Sequence, residues 1–214
     1  MLKIPLTIDQ TPTLGRGRCA PPIQKGFTLI EVMVVVAIIG ILATMAAPSL
    51  VALVARSSVS KAVNNFISDT RYARGEAMRR GKSVSICRSN NPSAAVPVCG
   101  GGQGLAVLGW ASGWVVFSDE NRNGAFNAAT DVVLRVQEPI TGLGDFYAVG
   151  AAPLTAAVAT GNQIIYDGTG RAVGQEGRWL VHAAGGLIAD ANFTRTLCMN
   201  SVGRVRMTTG EVAC

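Results

Sequence analysis

The chain opens on a polar stretch and then turns apolar. From Val32 to Ala55 no residue carries a charge, and Val, Ile, Ala, Leu and Met dominate, interrupted by Thr44, Pro48 and Ser49. At about 1.5 Å per residue such a helix reaches roughly 36 Å, enough for a hydrocarbon core of about 30 Å. A single membrane-spanning helix is expected, loosened where Pro48 removes a backbone donor. Beyond Arg56 the spacing changes: Val59, Ala62, Val63, Phe66, Ile67, Thr70, Ala73 and Ala77 recur three and four apart, the stripe of an amphipathic helix. Arg79 and Arg80 suit the C-terminal dipole and Gly81 supplies a stop, so one long helix from Phe27 to Arg80 is predicted.

The stripe from Val59 to Ala77 needs a cover, and the remaining chain offers strands. Seven are expected: Ser83 to Arg88, Trp114 to Ser118, Val132 to Gln137, Gln163 to Asp167, Arg178 to Ala183, Thr196 to Asn200 and Arg204 to Thr208. Residues 89–113 and 139–162 lack clear periodicity and read as surface loops. The fold class is therefore α+β, a long N-terminal helix packed on an antiparallel β-sheet head.

Composition narrows the chemistry. Only 15% of residues are charged and 49% are hydrophobic, which excludes a disordered or collagen-like chain. His182 is the single histidine, so a multi-histidine metal site or a Ser-His-Asp hydrolase is disfavoured, and GxGxxG and P-loop patterns are absent. Neither a catalytic residue nor a cofactor is expected. His182 reads as a half-buried strand residue, and Trp110, Trp114 and Trp179 read as core rather than as base-stacking platforms. The formal charge of +6 permits a local basic patch without proving one.

The polar leader holds Lys3, Arg16, Arg18 and Lys25 against Asp9, a bias that keeps the N-terminus cytoplasmic and sends the rest outward. Its junction is KGFTLIEVMVVVAIIGILATMAAPSL, Lys25 to Leu50. This stretch resembles the prepilin signature of type IV pilins and type II secretion pseudopilins. The resemblance implies cleavage by prepilin peptidase after Gly26, methylation of Phe27, and storage in the inner membrane as a single-pass protein with a periplasmic head. It divides the chain into a leader (1–26), a transmembrane and assembly half of the helix (27–55), and a head (56–214). Other pilins or pseudopilins in a helical filament are the implied partners. Glu31, a carboxylate entering lipid, is costly unless paired, and the family pairs it with a neighbour's N-terminal amine. The other reading of Glu31 is an interfacial residue reaching headgroup water. Pro48 falls where many pilins carry proline.

Loss of the leader discards Cys19 and leaves Cys87, Cys99, Cys198 and Cys214. An oxidising periplasm favours two disulfides, and the sequence-local choice is Cys87–Cys99 with Cys198–Cys214; two other connectivities stay open.

A second resemblance follows from ARGEAMRRGKSVSIC (Ala73 to Cys87), GWVVFSDENRNG (Gly113 to Gly124) and the C-terminal CMNSVGRVRM. Together these are similar to the GspH/FimT family of minor pilins. Gly203-Arg204-Val205-Arg206 matches the GRxR element of the FimT proteins linked with DNA uptake. On a strand Arg204 and Arg206 share a face about 6.6 Å apart while Val205 points inward, and each guanidinium can take a phosphate. Such contacts are salt-sensitive and blind to sequence. Arg195 would enlarge the patch. The competing reading is a hairpin edge kept soluble by two arginines, in a secretion pseudopilin with no DNA role. Arg71, Arg74, Arg79, Arg80, Lys82 and Arg88, against Glu76, read as a solvated helix face that could also meet another pilin. Asp119, Asn121 and Asn123 occupy positions one, three and five of a calcium loop with Gly124 at six. Thr130 stands at twelve, with Asp131 one place late, so a hairpin turn is the stronger reading and no metal is expected.

Overall fold

The structure, a computed structural model, describes residues 26–100, 109–149, 161–173, 177–187 and 190–214, without the side chains at 46–48 and 186. Helix α1 runs Leu29–Arg80. Among the described residues eight strands follow: β1 Val84–Arg88, β2 Trp114–Ser118, β3 Val132–Gln137, β4 Leu143–Val149, β5 Gln163–Tyr166, β6 Gly177–Ala183, β7 Thr194–Met199 and β8 Val205–Thr209. They form two antiparallel four-stranded sheets, ordered β3-β2-β1-β5 and β4-β6-β7-β8. The α+β class is as expected; the single sheet is in fact two.

The chain divides into two compact units, Met1–Thr44 and Met45–Cys214. In the first, α1 is preceded by Thr28, whose carbonyl accepts from Val32 N and whose Oγ1 accepts from Glu31 N at 3.2 Å. Thr28 is thus the N-cap and Glu31 its N3 residue, half of a capping box that the sequence reading overlooked. Met33, Val34, Val36, Ile38, Ile39 and Ile41 are exposed, so the apolar surface of this segment extends all round the helix. Among the described residues no single helical segment is long and apolar enough to cross a membrane. Leu29–Met45 and Ser49–Arg80 pass that test only as a pair.

In the second unit the stripe on α1 is core. Ala55, Val59, Ala62, Val63, Phe66, Ala73 and Ala77 are buried with residues from both sheets, and Ala52 packs against them. The head therefore recruits the helix ahead of residue 56. Phe66 lies at the centre, its ring 5.0 to 5.6 Å from those of Trp110, Trp114, Phe146 and Trp179. All three tryptophans are buried, as expected.

In the two sheets the inner strands β1, β2, β6 and β7 are buried on both faces, while the outer strands β3 and β8 are partly exposed. Behind the first, Cys87, Val115 and Phe117 pack with Cys99, Phe126 and Val133, under a segment pinned by Cys87–Cys99. Behind the second, Tyr147, Val149 and Leu180 cluster. The C-terminal tail returns over that face: Thr196 Oγ1 donates to Gly210 O, Arg178 Nη1 donates to Val212 O, and Cys198–Cys214 closes it. Each disulfide thus clamps a non-strand segment over the back of one sheet.

Strand β4 corrects the sequence reading, which assigned residues 139–162 to a loop. Phe146 and Ala148 face the core while Tyr147 and Val149 face back, a regular alternation. Gly144 and Asp145 interrupt it, and the register shifts between Leu143 and Asp145, so the pattern is too short to read as a strand. The rest of that loop, 150–160, lies outside the described residues, as do the leader residues 1–25.

Candidate nucleic-acid interface and assembly segment

The GRxR element is built by the β7–β8 hairpin. Its turn is closed by Gly203 N donating to Asn200 O (2.8 Å) and Arg204 N donating to Asn200 Oδ1 (3.0 Å). Gly203 has φ +74, and a Cβ there would lie 2.6 Å from Tyr166 Cε1 and 3.2 Å from Ala172 N. The Tyr166 hydroxyl donates to Gly203 O at 3.3 Å; burial pushes that phenol well above its ordinary range. Glycine is required here by backbone conformation and by close packing.

From this turn the chain enters β8, the outer strand of its sheet. Val205 packs against the core, while Arg204 and Arg206 are exposed. Among the described residues no carboxylate makes a salt bridge with either arginine. Register sets Arg206 opposite Cys198, and Cys198 opposite Arg178, so the pair flanks the disulfide-clamped face. Arg195 does not join it. It pairs with Thr209 and shares pleat parity with the core residues Leu197 and Met199, on the other face from Arg206. Its Nη1 donates to Asn192 O and Thr194 O.

The helix cluster is mostly neutralised or buried. Glu76 accepts from Arg79 and Arg80 at 2.6 to 2.8 Å, and Lys82 pairs with Glu120. Arg88 is fully buried at the end of β1. Hydrogen bonds from Arg79 first, then Arg80, hold the Glu76 carboxyl at about 2, below its ordinary 4.5. A depressed carboxyl stabilises the fold above its unfolded pKa and loses that contribution as acid protonates it. Wild type should therefore outlast Glu76→Gln in urea at neutral pH, and the two midpoints should converge as pH falls from 4.5 to about 2.

The DENRNG loop spends its oxygens on itself. Asp119 is buried; its Oδ2 accepts from Ser85 Oγ (2.7 Å) and Gly124 N (2.8 Å), and its Oδ1 from Asn123 N. Asn121 Oδ1 and Asn123 Oδ1 accept from Asn123 N and Ala125 N. Asp131 accepts from Glu120 N and Asn127 N across the hairpin. Among the described residues no group of three or more His, Cys, Asp or Glu side chains is placed to hold a metal.

Two buried carboxylates escaped the sequence reading. Asp69 accepts from Trp114 Nε1 (2.8 Å) and Arg135 Nη1 (2.7 Å), tying α1 to β2 and β3; on the helix wheel it is one polar residue beside an apolar stripe. Asp145 bonds His182 Nδ1 at 2.5 Å, so His182 has a side-chain hydrogen-bond partner the sequence did not reveal. Burial, then the Asp145 charge, pushes the neighbouring Tyr147 hydroxyl up to about 12.

At the expected cleavage junction Gly26 and Phe27 are exposed, and among the described residues nothing lies within 4 Å of where a Gly26 Cβ would stand. No packing among the described residues explains that glycine. Pro48 sits within α1, and its side chain lies outside what the structure describes.

A long capped helix with an apolar N-terminal segment, carrying an antiparallel head, defines a pilin-type subunit. A model described as "Prokaryotic N-terminal methylation motif" matches residues 22–47, and one described as "Type II transport protein GspH" matches residues 62–205. The chain belongs to the GspH family, a family of structural minor pilins and pseudopilins, and it carries the prokaryotic N-terminal methylation motif. Similar relatives include a fimbrial protein of Pseudomonas aeruginosa, 49% identical over 61 residues, which are 28% of this chain and 39% of the relative. Fimbrial protein EcpC of Eikenella corrodens is 62% identical over 42 residues, 20% of this chain and 28% of the relative. The chain thus spans about two-fifths or less of those curated relatives. Among solved structures, type IV minor pilin FimU of Pseudomonas aeruginosa is similar at 16% identity and TM-score 0.49, covering 74% of this chain and 97% of that one.

Proposed function

We propose that this protein is a minor type IV pilin of the FimT kind whose head binds DNA without regard to sequence through Arg204 and Arg206. The observation that carries the reading is the contrast in charge pairing. These two arginines stand exposed at a sheet edge with no carboxylate in salt-bridge contact among the described residues, while Arg79, Arg80 and Lys82 are held by acids. In the same reading prepilin peptidase cuts after Gly26 and Phe27 is methylated. The apolar helix rests in the inner membrane and then packs among other pilins, with Glu31 and Pro48 serving assembly. No catalysis is assigned to the chain. The second reading, a type II secretion pseudopilin without DNA binding, is favoured by the match to the family of type II transport protein GspH.

Full-length protein in nonionic detergent, titrated into a labelled mixed-sequence duplex over a KCl series, separates the two. Binding should fall steeply with salt. The Arg204→Gln, Arg206→Gln double variant, with an unchanged circular dichroism spectrum, should lose roughly tenfold or more in affinity. Its log–log salt slope should drop by about 1.8, at about 0.9 per phosphate. Absence of wild-type binding at low salt transfers the assignment to the secretion reading.

A further inference from the structure

Three turns distant in sequence converge beside the arginine pair. The space at Gly203 is bounded by Tyr166 and by the backbone of Ala172, so Arg204 and Arg171, each adjoining one of those contacts in sequence, leave neighbouring points of the backbone. Tyr166 and Ala172 also form a β-bridge. The turn that carries Arg171 sits on the end of α1: a Cβ at Gly168 would lie 2.6 Å from Gly81 O. One at Gly170 would lie 2.7 Å from Met78 Sδ and 3.3 Å from Arg74 Nε.

Resting on the DNA-binding reading above, we propose that the phosphate-binding surface is a track, running from Arg206 and Arg204 across Arg171 to Arg74. Arg171 is exposed and Arg74 half-buried, and among the described residues neither is in a salt bridge. Arg74 Nε is buried and has no hydrogen-bond partner among the described residues. The adjoining carboxylate, Asp167, is engaged by its own turn, accepting from Thr169 N, Thr169 Oγ1 and Arg171 N. The Arg171 guanidinium, which feels the Asp167 charge, makes no salt bridge with it and stays exposed. Arginines from a hairpin, a turn and a helix end meet more successive phosphates than a single hairpin edge does, and this suits a polyanion better than a small anion.

The same titration tests the track with Arg171→Gln, Arg74→Gln and Arg171→Lys. Lys61→Gln serves as a control that removes one exposed charge about 20 Å away along α1. Arg171→Gln and Arg74→Gln should each lower the salt slope by about 0.9, as one lost phosphate contact does. Arg171→Lys should restore the slope, and Lys61→Gln should leave it unchanged. If the Arg204→Gln, Arg206→Gln variant loses slope while Arg171→Gln and Arg74→Gln keep the wild-type value, the track is wrong and the hairpin site stands. If Lys61→Gln lowers the slope as much as Arg171→Gln does, net charge rather than a track governs binding and the proposal fails. If wild type does not bind, the DNA reading falls and the track with it.

Discussion

Phe66→Ala should cost the head about 3–5 kcal/mol, a large part of the 5–15 kcal/mol that holds a typical domain folded. Phe66 has no exposed surface, and its ring meets four others. Those partners come from both sheets: Trp114 from β2, Phe146 from β4 and Trp179 from β6, with Trp110 from the short 3-10 turn before β2. Truncation removes the ring's transfer energy and leaves a cavity that two rigid sheets packed on the α1 stripe are poorly placed to close. Edge-on geometry adds about 0.5–1.5 kcal/mol per aromatic pair, not additively. The check is urea unfolding of the full chain in detergent, followed by tryptophan fluorescence, since all three tryptophans border the cavity. A native-state red shift should accompany the fall in midpoint. A loss under about 1 kcal/mol would mean that the helix is not the element joining the two sheets.

Most of this architecture is legible in the sequence, for reasons that particular residues make plain. The run from Val32 and the stripe from Val59 report α1 because side-chain periodicity is the direct image of which face is covered. Seven strands appear within a residue or two for the same reason. Strand β4 does not, because Gly144 and Asp145 break its alternation, and the buried Asp145 is partnered by His182, 37 residues away. The division into two sheets is hidden too, since it depends on pairings at long range. The candidate site was half legible. The spacing of Arg204 and Arg206 gives their shared face, but Arg195 was placed with them by proximity in sequence, and pleat parity puts it on the opposite face. Nothing local in the sequence joins Arg171 to Arg204; only the packing of Gly203 on Ala172 does. Arg79 and Arg80 drop out of the helix cluster because Glu76 reaches both at three and four residues, a pairing that helical spacing alone foretells.

Gly203→Ala should destabilise the head by about 2–5 kcal/mol while removing no charge. Roughly 1–2 kcal/mol comes from forcing an L side chain into the left-handed region at φ +74, and about 1–3 kcal/mol from the new methyl pressing on the Tyr166 ring. Replacing Tyr166 by Leu in a double-mutant cycle separates the two, because the overlap is relieved there and the backbone strain is not. The consequence for function runs through the turn, where Gly203 N and Arg204 N both bond Asn200. Displacing Gly203 re-aims Arg204, so DNA affinity should fall at low salt even in protein that remains folded, measured beside a urea midpoint for the same variant. The glycine in GRxR is then a demand of packing, made whether or not DNA is the ligand, and the arginines alone carry the chemistry. A Gly203→Ala variant with wild-type stability and abolished DNA binding would reverse that order: the glycine would serve the close approach of a phosphate to the backbone, and Tyr166 would be a bystander.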